Sequence, residues 1–206
     1  MLQPRLLLLV LLSLFVVPLP AADGVPARSG NLLLVDGQEI VIGKNRWRIV
    51  VGRGHAPEHA CLWCPELKLM ISGDQILPRI SSNISVFPTE PEADPLHEWL
   101  ESCKHLQALI PDHTLILPSH NEPFYGVKTR TTQLIDGHEE GLAKIVELCA
   151  TPKRAVDVFP ALFRTKITGG NYGMATGESL AHLNCLIARG KIKRTRDADG
   201  VDWYKA

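Results

Sequence analysis

The first half of the chain alternates short apolar runs with turn residues, a pattern that predicts β-strands. The turn-forming Gly43-Lys44-Asn45 separates two such runs and indicates a hairpin. A further apolar run before Pro118 predicts a buried strand that follows a helix. The predicted strands cover residues 32–35, 39–42, 47–51, 59–63, 68–72 and 114–117.

Longer segments place apolar residues three and four positions apart, which predicts amphipathic helices. The first follows Asp94, a good N-cap residue, has Pro95 in its first turn and extends to Ile110. The second covers residues 128–148.

The connection from Asp74 to Asp94 lies between the strand predicted at 68–72 and the first helix, and it is long and rich in Pro and Ser. We expect it to line a substrate cleft, because long loops in compact domains are usually functional.

A domain boundary is predicted at Thr151-Pro152. Two helical patterns follow, the second over residues 175–189 and ended by Gly190. Residues 191–194 and 201–204 then flank an Asp-Gly turn, which predicts a hairpin. Helices that lead into such a hairpin predict a winged-helix domain over residues 151–206, preceded by a domain over residues 25–150.

Residues 1–24 form an apolar leader with a different pattern. Arg5 precedes an apolar run of twelve residues, 6–17, interrupted only by Ser13, and small residues follow, which is typical of a secretory signal peptide. The run is shorter than the roughly 20 residues of a membrane span. A signal peptide would imply a secreted or periplasmic protein. A stretch of buried chain and an artefact of the assigned start remain open alternatives.

The charge balance bears on the partners of the protein, and the cysteine content bears on its cellular compartment. Lys+Arg and Asp+Glu number 22 each, so the net charge indicates neither a nucleic-acid nor a membrane partner. The five cysteines are an odd number, and only Cys61 and Cys64 are close in sequence. This pattern favours a reducing, cytoplasmic compartment over a disulfide framework. We interpret all five as core residues.

Three short motifs carry the candidate chemistry: GHAPEH at 54–59, SGD at 72–74 and PSHNEPF at 118–124. They place His55, Asp74 and His120 just after three predicted strands. Zinc hydrolases need neutral imidazoles and a carboxylate on rigid elements, with an open position for water. Three strands that each end in such a residue predict a metal site more strongly than any one of them.

The three motifs resemble the second half of a metallo-β-lactamase-fold hydrolase. The long SGD segment and the C-terminal winged helix are similar to its glyoxalase II-like and ribonuclease-like branch. The resemblance implies an α/β fold: the C-terminal half of an αββα sandwich, followed by a winged-helix domain. It implies that His55 binds a first zinc ion, His120 binds a second and Asp74 bridges them. The implied substrate is a small molecule with an ester, thioester or related bond.

The chain lacks the HxHxDH cluster that supplies the family's other ligands, and His55 is its first histidine. We therefore expect impaired hydrolysis by this chain, or one metal held by two histidines and one carboxylate. Two alternatives stay open. One is a truncated or mis-started product; the other is a non-catalytic binding or regulatory module that uses the winged helix.

The hairpin over residues 191–204 is basic, which makes nucleic-acid binding a weaker alternative function. Its basic residues are Lys191, Lys193, Arg194 and Arg196. The preceding helix is poor in Lys and Arg over residues 177–182, so phosphate contacts would be weak.

The remaining histidines receive structural interpretations. We expect His59 to make a structural hydrogen bond and His138 to pack in the core. We place His182 in the winged helix and expect solvent exposure of the rest, which are His97, His105 and His113.

Overall fold

The computed structural model describes residues 34–206, and its main element is a five-stranded mixed sheet. The strands lie side by side in chain order, antiparallel except for the parallel pair β4 and β5. The predicted leader and part of the strand predicted at 32–35 lie outside the described residues. The strands are β1 Glu39–Ile42, β2 Asn45–Gly52, β3 His59–Cys64, β4 Leu69–Gly73 and β5 Leu115–Pro118.

The helices begin close to the positions that the sequence predicts. Asp94 caps α1, because its carboxylate accepts a hydrogen bond from the His97 N–H at 3.1 Å. The helices are α1 Pro95–Leu109, α2 Val127–Leu148, α3 Phe159–Leu162 and α4 Tyr172–Ala188. The first helical pattern after residue 151 forms only a 3₁₀ turn, Ala155–Val158, and the single-turn α3. None of the helices within residues 34–206 is long and apolar enough to cross a membrane.

The C-terminal segment ends in a small antiparallel sheet of β6 Lys193–Arg196 and β7 Asp202–Lys205. This sheet joins the chain just after α2: the Tyr204 N–H donates to the Lys153 carbonyl at 2.8 Å, and the reverse bond measures 3.0 Å. The geometry is that of a helix followed by a hairpin. The winged-helix assignment and the boundary at residue 151 stay predictions.

One hydrophobic core runs from the sheet to the C-terminal helix. It contains Met70 and Ile116 from the sheet, Trp99 from α1, Ile145 from α2 and Leu183 from α4. Side chains on both sides of residue 151 therefore share one continuous core. The mixed sheet with helices packed on it confirms the predicted α/β class.

The opposite face of the sheet is also apolar. Trp47, Cys64 and Leu69 are buried there, and the half-buried Ile40, Leu62 and Leu117 pack around them, together with further aliphatic side chains. Apolar side chains on both faces are what the middle layer of a sandwich requires.

All five cysteines are buried and have free thiols, which confirms the core interpretation. Burial raises the pKa of the Cys61 and Cys103 thiols to about 12, so both stay protonated and unreactive at neutral pH.

Candidate metal centre

The strand directions bring the three predicted ligands to one edge of the sheet. Since β3 is antiparallel to both β2 and β4, and β5 is parallel to β4, the carboxyl ends of β2, β4 and β5 lie at the same edge. His55 follows β2, Asp74 follows β4 directly, and His120 follows β5. Residues far apart in sequence therefore meet there.

The Asp74 carboxylate lies between the two imidazoles. Its Oδ2 is 3.7 Å from His55 Nε2, and its Oδ1 is 3.3 Å from His120 Nε2. The Asp74 and His55 side chains are 23% and 26% exposed, whereas His120 is 64% exposed. The site therefore has a half-buried floor and one open, solvent-facing side.

The orientation of His55 is fixed from behind. Its Nδ1 lies 2.8 Å from the Asn83 carbonyl oxygen, which can only accept, so Nδ1 carries the proton. In the neutral ring, Nε2 then presents a lone pair towards Asp74. Histidines that bind metals usually donate their other ring N–H to a carbonyl or carboxylate in this way.

Asp74 Oδ1 is the atom that best indicates a cation. It is buried and makes no hydrogen bond within the described residues; the one group paired with it, His120 Nε2 at 3.3 Å, is an ionic partner only when that ring is protonated. A buried carboxylate oxygen without a partner is costly, and a metal ion would offset that cost. Two imidazoles and one carboxylate are a donor set that suits zinc and related divalent metals. The residues present therefore fit the metal that the motifs imply.

Within residues 34–206, no group of three or more His, Cys, Asp or Glu side chains is arranged as a complete metal site. The two imidazoles face different oxygens of Asp74, as expected for residues arranged around a bridging carboxylate. The donors do not converge on a single point.

Two residues that sequence reasoning did not place at the site hold the Asp74 backbone. Ser82 Oγ donates to the Asp74 carbonyl. His59 Nε2 accepts from the Asp74 N–H at 3.2 Å and also lies 3.2 Å from the Ser72 carbonyl oxygen, to which it can donate only in its other tautomer. Burial, followed by the neighbouring His55, lowers the pKa of His59, which keeps this ring neutral as an acceptor. The predicted structural hydrogen bond of His59 is confirmed. No local sequence pattern marks Ser82 or Asn83.

Gly73 is required at the turn into Asp74. Its φ is +54°, a left-handed conformation that favours glycine, and an added Cβ would lie 2.3 Å from His59 Nε2. The glycine of the SGD motif thus lets His59 and Asp74 approach each other closely.

The remaining histidines separate into two groups. His97, His105 and His113 are exposed, as predicted. His138 is buried, as predicted, and its ring stacks on that of His182, with the centroids 5.2 Å apart. These two form a separate pair.

The arginines of the basic hairpin are engaged within the chain. Arg194 pairs with Glu92 at 2.9 Å, and Arg196 pairs with Asp202 at 2.7 Å. These carboxylates reduce the positive charge that β6 presents to solvent.

Comparisons with known proteins agree with the fold and the motifs. Residues 5–120 match the metallo-beta-lactamase superfamily, and residues 142–206 match the metallo-beta-lactamase-like C-terminal domain. No curated protein matches the chain.

Solved structures give the same result. A beta-lactamase domain protein from Burkholderia ambifaria is 42% identical with a TM-score of 0.81, over 86% of this chain and 52% of that one. A metallo-beta-lactamase family protein from Thermus thermophilus is 26% identical with a TM-score of 0.74, over 86% and 55%. The inverting sec-alkylsulfatase Pisa1 from Pseudomonas sp. is 13% identical with a TM-score of 0.52, over 76% and 26%, and shares the fold alone.

The chain spans about half the length of the Burkholderia and Thermus proteins. The match to the superfamily nevertheless covers more than half of the chain and includes GHAPEH, SGD and the histidine of PSHNEPF. The chain belongs to the metallo-β-lactamase superfamily.

Proposed function

We propose that the protein is a metal-dependent hydrolase that acts on an ester, thioester or related bond, with zinc held by His55, Asp74 and His120. The observation that carries this proposal is the buried, unpartnered Oδ1 of Asp74, placed between two imidazoles. A carboxylate in that position gains most from a cation. Membership of the superfamily supports the hydrolase class.

The residues have distinct roles in this proposal. Bound zinc would polarise the scissile group and supply a hydroxide at neutral pH. Asp74 contributes the negative charge that holds the cation, and Asn83 keeps the Nε2 lone pair of His55 directed at the site. His120, being mostly exposed, borders the open side through which a substrate enters. Few protein ligands leave coordination positions open, as catalytic sites require.

The absence of HxHxDH from the sequence limits the expected rate. We expect weak hydrolysis by the 206-residue chain alone, with one metal in a two-histidine, one-carboxylate set that forms only when the three side chains move together. The glyoxalase II-like or ribonuclease-like branch and a winged helix over residues 151–206, following a partial metallo-β-lactamase-fold domain over 25–150, form part of the same proposal. The succession of α4, β6 and β7 supports the winged helix.

The experiment combines metal content with activity. The purified chain is dialysed with and without zinc, and bound zinc is counted by elemental mass spectrometry. Hydrolysis is then followed with p-nitrophenyl acetate, acetylthiocholine and bis(p-nitrophenyl) phosphate. We expect zinc-dependent turnover of at least one probe and its loss in Asp74→Asn.

His97→Ala is the matched control, because it removes an exposed histidine on α1 outside the candidate site. This variant should bind zinc and turn over substrate like the unmodified chain. Zinc content equal in the unmodified chain and in Asp74→Asn, together with no turnover of any probe, would contradict the proposal.

A further inference from the structure

A chain of hydrogen bonds joins α4, α2 and the loop after β4. His182 Nδ1 lies 2.8 Å from the Glu178 backbone carbonyl, which can only accept, so Nδ1 is protonated. In the neutral ring, His182 Nε2 therefore accepts from His138 Nδ1 at 3.1 Å. The other nitrogen of His138 is then an acceptor as well. It lies 2.8 Å from Ser81 Oγ, which donates to it.

Burial keeps both rings neutral and so preserves this direction. His138 is 7% exposed and His182 is 1% exposed. Burial lowers the pKa of His138 to about 3 and that of His182 to about 4, far below neutral pH. The Glu178 backbone carbonyl thus determines, through His182 and His138, that the Ser81 hydroxyl donates its proton inward to His138.

Ser81 is exposed, and its hydroxyl proton points away from solvent. The competing acceptor is the Ser82 carbonyl, which also belongs to the protein and lies farther from Ser81 Oγ, at 3.2 Å. Towards solvent, Ser81 Oγ therefore presents lone pairs and acts as an acceptor. It can recognise a hydroxyl or N–H group of a ligand.

Ser81 and His138 line a groove of about 540 Å³ between the loop after β4, α2, α3 with the two residues that follow it, and α4. A volume of this size suits a small ligand. Four cationic side chains line it, against the carboxylates of Glu140 and Glu178; the cations are Arg79, Arg130, Lys144 and Arg164.

Two of these cations are available to a ligand. Arg130 donates to the backbone carbonyls of Leu77 and Ile80 and, at 3.4 Å, to the Gln133 side chain; none of these is a carboxylate, so its charge is not neutralised, and its two terminal nitrogens each keep an N–H for a ligand. Arg164 has no ionic partner among residues 34–206. Burial raises the pKa of Glu178 to about 7, so this carboxyl is partly neutral at pH 7. The groove therefore favours an anion.

Two hydrogen-bonded contacts connect residues that line the groove with the surroundings of the candidate metal centre. Asn83, two residues after Ser81, holds His55 through its carbonyl and donates to Glu178 Oε2 at 3.0 Å through its side chain. Arg79 of the groove pairs with Glu122, close to His120 in sequence, with its Nε 2.6 Å from Oε1.

We propose that this groove binds the non-reacting part of an anionic, hydroxyl-bearing substrate. Arg130 and Arg164 contact a phosphate or carboxylate group, and Ser81 accepts a hydrogen bond from a neighbouring hydroxyl. As a substrate site the groove rests on the hydrolase function proposed above. As a binding site it needs no metal.

The test uses two pairs of probes that differ by one hydroxyl: propyl phosphate with 2-hydroxypropyl phosphate, and butyrate with 3-hydroxybutyrate. Affinities are measured by calorimetry at low salt on the full chain after chelator treatment. For at least one pair, we expect the hydroxylated probe to bind about 5-fold more tightly, the effect of one neutral hydrogen bond. Ser81→Ala should abolish that preference.

Arg164→Gln should weaken both probes of the pair about 10-fold, because it removes a charge-assisted contact. Lys191→Gln is the matched control, since it removes one exposed positive charge that does not line the groove. Nitrogen-15 NMR of the histidine rings shows which ring nitrogen carries the proton, and so tests the hydrogen-bond chain independently of ligand binding. Both His138 and His182 should carry their proton on Nδ1.

Equal affinities within both pairs, an unchanged preference in Ser81→Ala, or an equal loss in Lys191→Gln and Arg164→Gln would overturn the proposal. Asp74→Asn separates this test from that of the hydrolase, because it should lose zinc and keep probe binding. If probe binding depends on Ser81 but the chain shows no zinc-dependent turnover, the groove is a binding site and the hydrolase proposal is wrong.

Discussion

Two pairs of histidines lie in this molecule, and they differ in what surrounds them. His55 and His120 flank a carboxylate that has a buried oxygen without a hydrogen-bond partner among the described residues. His138 and His182 are more deeply buried, and they contact each other, a serine hydroxyl and a backbone carbonyl. The first pair has unused acceptors, whereas every ring nitrogen of the second pair has a partner.

The difference indicates which feature separates the candidate metal site from a structural network. Burial alone does not, because the more buried pair is the one whose hydrogen bonds are complete. A carboxylate oxygen without a hydrogen bond, close to an imidazole lone pair, is the distinguishing feature of the candidate site, since one metal cation can bind both groups. We therefore expect substitutions around the first pair to reduce metal binding, and substitutions in the second pair to reduce stability.

The largest expected effect is the loss of metal binding in Asp74→Asn. Asparagine keeps the shape of the side chain and removes the charge that faces both imidazoles. We expect zinc affinity to fall at least about 100-fold, since even partners outside the coordination shell contribute 10- to 100-fold. Competition with a chromogenic chelator measures this loss. Glu178→Gln, next to the other pair, should retain zinc, and an equal loss in both variants would contradict the assignment.

The second effect concerns stability. In His182→Phe, the Nδ1 proton of buried His138 loses its acceptor, and the Glu178 carbonyl loses its side-chain donor while it keeps its helical one. An unsatisfied buried group costs about 1–3 kcal/mol, so we expect the free energy of unfolding to fall by about 2 kcal/mol. Urea unfolding followed by circular dichroism gives the value. An unchanged midpoint would show that the hydrogen-bond chain does not stabilise the fold.

The third effect is the pH dependence of stability. Folding lowers the pKa of His138 and His182 from 6.5 to about 3 and about 4, so the unfolded chain binds their protons first and stability falls as the pH drops below 6.5. Glu178 acts in the opposite sense, because folding raises its pKa from 4.5 to about 7. Because the effect of the two histidines exceeds that of the one carboxyl, we expect the free energy of unfolding to fall by roughly 2 kcal/mol from pH 7 to pH 5.

Glu178→Gln sharpens that measurement. Removal of the opposing carboxyl should roughly double the loss of stability over the same pH range. Urea titrations at several pH values would show it. His59, whose pKa burial also lowers, adds to the loss equally in both proteins. A pH profile that Glu178→Gln leaves unchanged would contradict the pKa assigned to that carboxyl.

The smallest effect is that of His120→Ala on stability. The side chain is 64% exposed, and its removal leaves no buried partner unsatisfied among residues 34–206, so the free energy of unfolding should change by less than about 0.5 kcal/mol. Zinc affinity should nevertheless fall. A variant as destabilised as His182→Phe would place His120 among the structural histidines.

The sequence predicts the Asp74 site better than the groove, and the reason is physical. Strand periodicity and glycine turns locate the strand ends to within about two residues, and His55, Asp74 and His120 follow directly from them. The Ser81–His138–His182 chain joins residues 57 and 44 positions apart on a loop and two helices. Its formation depends on how α2 packs on α4, which no local pattern encodes.

The length of α3 also escaped prediction. The residues after 151 have helical spacing, yet Pro160 lies at the start of a single turn that ends at Leu162. The polypeptide then contributes to the wall of the groove instead of continuing as a helix. Local spacing predicts the tendency to form a helix, whereas tertiary packing determines where the helix ends.

The shared direction of β2, β4 and β5 also gives the molecule a convenient point of attachment. The hairpin turns at 43–44 and 65–68 lie at the end of the sheet opposite to His55, Asp74 and His120. A dye or a surface linker on the exposed Lys44 would therefore leave the candidate metal site facing the solution. Immobilised protein prepared in this way would suit flow experiments in which metal and substrate are supplied in turn.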